Sequence, residues 1–98
     1  MKVYLSFPPS TSPDVVGYQL YIETAPNPVT IESPFVPIGL DTRVCLNEEF
    51  PELDGVFNVG VAAVDDAGNL SPLSVKGGVV LDFLAPNPVG DLVISYEN

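Results

Sequence analysis

The sequence predicts an all-β domain built as a sandwich of two antiparallel sheets. Three observations carry that prediction. Short runs alternate apolar and polar residues with a period of two, the pattern of a strand with one face buried and one in water. No window shows the apolar stripe at three- and four-residue spacing that an amphipathic helix requires. Eleven prolines and eight glycines, with no collagen-like period, fall between the runs as turns. The 98 residues make one domain's worth of chain, and a 46% apolar content is enough to offset the entropy of folding.

The first run, Lys2-Val3-Tyr4-Leu5-Ser6-Phe7, puts Val3, Leu5 and Phe7 on one face, and Pro8-Pro9 stops it. The second, Tyr18-Gln19-Leu20-Tyr21-Ile22-Glu23, sends Tyr18, Leu20 and Ile22 one way and Gln19, Tyr21 and Glu23 the other. Pro34-Phe35-Val36-Pro37-Ile38 is limited to an edge strand or an extended loop, because proline cannot donate to a ladder. Arg43-Val44-Cys45-Leu46 reads as a short strand, followed by an acidic loop over residues 48–55 that turns at Asp54-Gly55.

The strongest run is Val56-Phe57-Asn58-Val59-Gly60-Val61-Ala62-Ala63-Val64, with Phe57, Val59, Val61 and Ala63 on one face. Asp65-Asp66-Ala67-Gly68-Asn69 then turns the chain, and a last sandwich strand is expected around Val79-Val80-Leu81-Asp82-Phe83. The expected core is Leu5, Phe7, Tyr18, Leu20, Phe57, Val59 and Val61, with Tyr4, Tyr21 and Tyr96 facing outward. The pentapeptide Ala-Pro-Asn-Pro-Val occurs at 25–29 and again at 85–89. Their flanks differ, so the repeat reads as two similar turns.

Charge and composition limit the function. Thirteen acidic and three basic residues give a net charge of −10. Lys2, Arg43 and Lys76 stand apart, so nothing matches a phosphate backbone or an anionic membrane. With no histidine, Cys45 has no His partner and no serine belongs to a Ser-His-Asp triad. Adjacent carboxylates at Glu48-Glu49 and Asp65-Asp66 diverge on extended backbone and do not face each other across a cleft. An enzyme is not expected, nor is a cofactor. Cys45, the single cysteine, reads as a small buried hydrophobe and forms no intrachain disulfide.

Two residue patterns keep a binding role open. Asp65, Asp66 and Asn69 offer oxygen ligands for a weakly held calcium ion, though a tight hairpin calls for the same residue types. Asn69-Leu70-Ser71 has the form of a glycosylation sequon but precedes Pro72 and is read as chance. No signal-peptide apolar region and no membrane-spanning run occurs, so the default expectation is cytoplasmic, or extracellular for a piece of a larger exported protein.

Several of these runs resemble a fibronectin type III domain, the immunoglobulin-like two-sheet antiparallel sandwich. Val3-Tyr4-Leu5-Ser6-Phe7-Pro8-Pro9 is similar to that family's strand B, with Phe7 in the place of its core tryptophan. Gly17-Tyr18-Gln19-Leu20-Tyr21 resembles strand C. Residues 57–71 look like strand F and the F–G turn of bacterial members, with Phe57 where a tyrosine-corner hydroxyl would be. The segment resembling strand A, Ala85-Pro86-Asn87-Pro88-Val89-Gly90-Asp91-Leu92-Val93-Ile94-Ser95, stands at the C-terminal end rather than ahead of strand B.

The resemblance implies a sandwich over 1–84 with strands B to G, followed by a proline-rich spacer and strand over 85–98. That last strand completes either this copy or a neighbouring one, opens the next module of a tandem array, or is a frayed tail. Six residues, 85–90, reach about 20 Å, one strand length, which leaves no slack to double back. Self-association through Val3, Leu5, Leu92, Val93 and Ile94 is therefore expected, with the partner a protein, either the chain itself or a neighbouring module. Two function classes follow: a non-catalytic interaction or spacer module that exchanges a strand, or a carbohydrate- or ligand-binding accessory domain with weak calcium dependence.

Overall fold

In a computed structural model, residues 2–82 and 88–97 are described. Six strands and one helical turn follow in order: β1 (Tyr4–Ser6), β2 (Val15–Thr24), β3 (Phe35–Gly39), β4 (Arg43–Cys45), α1 (Leu46–Glu49), β5 (Gly55–Asp65) and β6 (Ser74–Leu81). All pairings between these strands are antiparallel. β1 and β4 form one sheet, and the other runs β3-β2-β5-β6.

The faces of the two long strands decide how the sheets pack. Tyr18, Leu20 and Ile22 of β2 and Phe57, Val59, Val61 and Ala63 of β5 are buried between the sheets. Val44 and Leu46 reach them from the two-stranded sheet and the helical turn. Burying each large apolar side chain contributes roughly 1.5–3 kcal/mol, so this shared face is the main source of stability. Leu5 and Phe7, expected in the core, are only half-buried. They belong to a strand with a neighbour on one side only, and nothing in the described chain covers the other.

Tyr21 departs further from expectation. It lies on the outer face of its sheet, as alternation predicts, but is covered there and only 1% exposed. The connection between β2 and β3 folds over the outer face of the four-stranded sheet, and Val29 and Leu73 enclose Tyr21 against Ala62. Its hydroxyl donates to Gln19 Oε1 at 2.6 Å, which satisfies the polar end. Ser33 is buried in the same connection; its hydroxyl donates to Glu23 Oε2 and accepts the Thr30 N–H.

β3 lies at the edge of its sheet, as its prolines require, and the register shifts beside Pro37. β6 begins at Ser74, five residues before the expected start, because a bulge absorbs Gly77 and Gly78. Phe57 pairs with Val79 and Val59 with Lys76, so two glycines oppose Asn58. Gly78 takes φ +70 there, and its N–H donates to Asn58 Oδ1 at 3.3 Å. Phe83, placed in this strand by the sequence, lies outside the described residues.

The acidic loop after β4 opens with the turn α1, so Glu48 and Glu49 are helical rather than extended. Four residues are too few to show a helical period, and tertiary contacts hold the turn. Leu46 is buried, its N–H donates to Val3 O at 2.8 Å, and Asn47 Oδ1 accepts the Val3 N–H at 2.6 Å. No helix among the described residues is long and apolar enough to cross a membrane.

Candidate functional site

The site is the open edge of β1 and the groove beside it. Val3 O accepts from Leu46 N–H and Phe7 N–H donates to Thr42 O, so the backbones of residues 3, 5 and 7 point toward β4. Because a strand alternates, the N–H and C=O groups of Tyr4 and Ser6 point the other way. No described strand pairs with them. The side chains alternate in the opposite sense: Val3, Leu5 and Phe7 turn toward the core, while Tyr4 and Ser6 turn outward.

A groove of about 550 Å³ runs along this edge, bounded by β1 on one side and β6 on the other, with Val59, Val61 and Leu46 beneath. Its surface is mostly apolar. Phe7 meets Tyr18, and Tyr18 pairs with Ala63, which places the Phe7 end of β1 near the start of β6. Val3, bonded to α1, marks the opposite end, toward which β6 runs. Outside the groove the Arg43 guanidinium lies 4.0 Å from the centre of the Tyr4 ring, covering that ring across the β1–β4 pair.

The C-terminal half of the expected interface is elsewhere. Residues 88–97 carry no secondary structure and are exposed throughout. Leu92, Val93 and Ile94 are 87%, 85% and 77% exposed. The molecule measures 75 Å along its longest axis, against about 36 Å for an eleven-residue strand such as β5, and the C-terminal segment extends past the sandwich. A single copy thus holds Val3 and Leu5 in the groove and Leu92, Val93 and Ile94 in solvent, without bringing them together. Residues 85–87 of the spacer lie outside the described residues.

Two of the three proposed calcium ligands, Asp65 and Asn69, are engaged with each other. Asp65 Oδ1 accepts the N–H groups of Ala67 at 3.0 Å and Asn69 at 2.7 Å, and Asp65 Oδ2 accepts from Asn69 Nδ2 at 3.0 Å. The Asn69 side chain, then its backbone N–H, holds the Asp65 carboxyl below its ordinary range. Gly68 sits at φ +84, and the Asp66 N–H donates to Asp14 O. These bonds are those of a hairpin turn. Among the described residues, no group of three or more acidic or thiol side chains converges on a point.

No family model, curated protein or solved structure matches the chain.

The β6 wall of the groove was not legible in the sequence. Gly77-Gly78 interrupts the apolar alternation that marks a strand, and only the pairing with β5 restores it. Arg43 over Tyr4 left no trace either, because their positions become neighbours only once β1 and β4 are in register. Cys45, buried as its neighbours suggested, lies on β4 away from the groove.

Proposed function

We propose that this chain is a fibronectin type III-like module with a non-catalytic role, joining protein chains through a strand rather than transforming a substrate. The observation that carries the reading is the unpaired β1 edge beside an apolar groove, in a chain that also presents an exposed apolar strand-like segment. The strand arrangement supports the family. With β1 as strand B, β2 as C and β5 as F, the pairing puts B with E in one sheet and C, F and G in the other, as immunoglobulin-like sandwiches do.

An enzymatic role has no support in the geometry. The groove beside β1 is lined mainly by aliphatic and aromatic side chains, and the Asp65 carboxylate is committed to a turn. Of the three tyrosines expected to face outward, Tyr21 is buried beneath the β2–β3 connection and Tyr4 lies under Arg43. That leaves Tyr96 exposed but apart from them and disfavours a sugar-binding aromatic platform. The mass of the full chain in solution, measured by light scattering across a concentration series, tests the reading. Dimers or larger assemblies are expected. A chain that stays monomeric at every concentration would remove self-association from the proposal.

A further inference from the structure

We infer that residues 91–95 of a second copy of this chain dock antiparallel along β1, with Leu92 and Ile94 filling the groove between β1 and β6. This deepens the interaction reading above and rests on it. Four sheet edges are open among the described strands, and three are protected. β3 carries Pro37 and a register shift, β6 carries the Gly77-Gly78 bulge, and β4 is three residues between a turn and α1. β1 is likewise three residues long and is stopped by Pro8-Pro9. Residues 2–7 carry no proline, however, and the register with β4 is regular, so the outer edge of β1 is the least protected of the four. It offers the paired backbone groups of Tyr4 and Ser6, ready for a strand of about five residues.

The donor fits by pattern. In Asp91-Leu92-Val93-Ile94-Ser95, alternation puts Leu92 and Ile94 on one face and Asp91, Val93 and Ser95 on the other. Leu92 and Ile94 then continue the apolar face of Val3, Leu5 and Phe7, which a single copy leaves only partly buried. The antiparallel direction starts at the Phe7 end. The chain leaves β6 at Leu81, at the opposite end of the sandwich, where Leu81 pairs with Gly55.

Closing its own groove would make the span from Asp82 to Asp91 run back the height of β6 and cross between sheets. That path is about 25 Å, and the span reaches only about 30 Å when fully stretched. A second copy meets no such limit, and residues 88–97 are exposed and unpaired with any described strand.

Two full-length variants separate donor from acceptor. Leu92→Asp with Ile94→Asp puts charge on residues that are exposed in a single copy, so the donor fails while the sandwich is untouched. Ser6→Pro removes an N–H from the open edge and leaves the bonds to β4 in place, so the acceptor fails. Each variant alone is expected to lose at least half the wild-type mass, and an equimolar mixture should recover a one-to-one pair. Amide exchange provides a second readout if Ser6→Pro does not fold. The Tyr4 and Ser6 amides should be slow in wild type and fast in the Leu92→Asp, Ile94→Asp chain.

An oligomer whose mass survives the Leu92→Asp, Ile94→Asp change overturns this inference and leaves the interaction module standing. A monomer with slow Tyr4 and Ser6 amides means each copy closes its own groove, and it overturns the second-copy assignment. A monomer with fast amides at both positions ends the inference and the self-association reading together.

Discussion

The rings of Phe7 and Tyr18 meet edge to face, their centroids 5.0 Å apart and their planes at 75°. This contact ties the two-stranded sheet to the four-stranded one at the end where β1 finishes. The Tyr18 hydroxyl then accepts the Ser10 N–H at 2.9 Å, which fixes the chain after Pro8-Pro9. Phe7→Ala is expected to destabilise by about 2–3 kcal/mol, below the range for a fully buried ring, since Phe7 is only partly buried. Tyr18→Phe keeps the ring contact and loses one hydrogen bond, at about 1 kcal/mol. Urea unfolding of both variants checks the order, and equal losses would contradict it.

Gly60 sits beneath the cap that buries Tyr21. A Cβ at this position would meet Val29 Cγ1 at 3.0 Å and Leu73 Cδ2 at 3.5 Å. Gly60→Ala should therefore push Val29 off the outer face at a cost of about 1–2 kcal/mol. The expected sign is a rise in amide exchange across residues 25–34 with little change in β2 or β5. Exchange that rises uniformly through the sheet would mean the cap and the sheet unfold together.

Asp65 gives the hairpin an acid-sensitive hold. Its folded-state carboxyl titrates below the ordinary aspartate value of 3.8, chiefly because Asn69 donates to it from the side chain and the backbone. A depressed pKa contributes stability that is full well above 3.8 and is lost as pH falls through the lower folded value. Asp65→Asn should flatten the acid limb of the stability-against-pH curve below pH 4 and leave the neutral region nearly parallel to wild type. An unchanged acid limb would show that other carboxylates govern it.

The proposed self-association would bring together copies that each carry a charge of −10. The apolar contacts in the groove favour assembly, and like charge opposes it over a range of about 8 Å at physiological ionic strength. Raising the salt concentration should therefore increase the assembled fraction, as should lowering pH toward the isoelectric point near 4.1. Sedimentation at low and high salt checks this. Assembly weakened by salt would point to an attractive charge contact at the interface instead.

Most of the two long strands was legible because β2 and β5 each alternate over several residues and each buries one face in a single shared core. The β3 edge was legible for a different reason, as Pro37 cannot serve a central strand. The short α1 turn was not, since its hold comes from Val3 and a buried Leu46 that the local sequence does not announce. The proposed donor residues Leu92, Val93 and Ile94 stood out as an apolar run at an unexpected position. The acceptor was half-legible: Val3 and Leu5 alternate visibly, but the facing wall of β6 does not.

The sequence by itself determined the period-two pattern, the places where prolines and glycines stop strands, the absence of a histidine-based chemistry and the acidic charge. These are local properties or sums over the chain, and no folding is needed to compute them. Tertiary structure alone decided that Tyr21 is buried, that Gly77-Gly78 bulges within β6, and that the open edge of β1 borders an apolar groove. Each of those depends on which segments lie side by side. A strand's alternation says only that one face is apolar. What covers that face depends on segments remote in sequence, as Val29 and Leu73 cover Tyr21, and as no described strand covers the edge of β1.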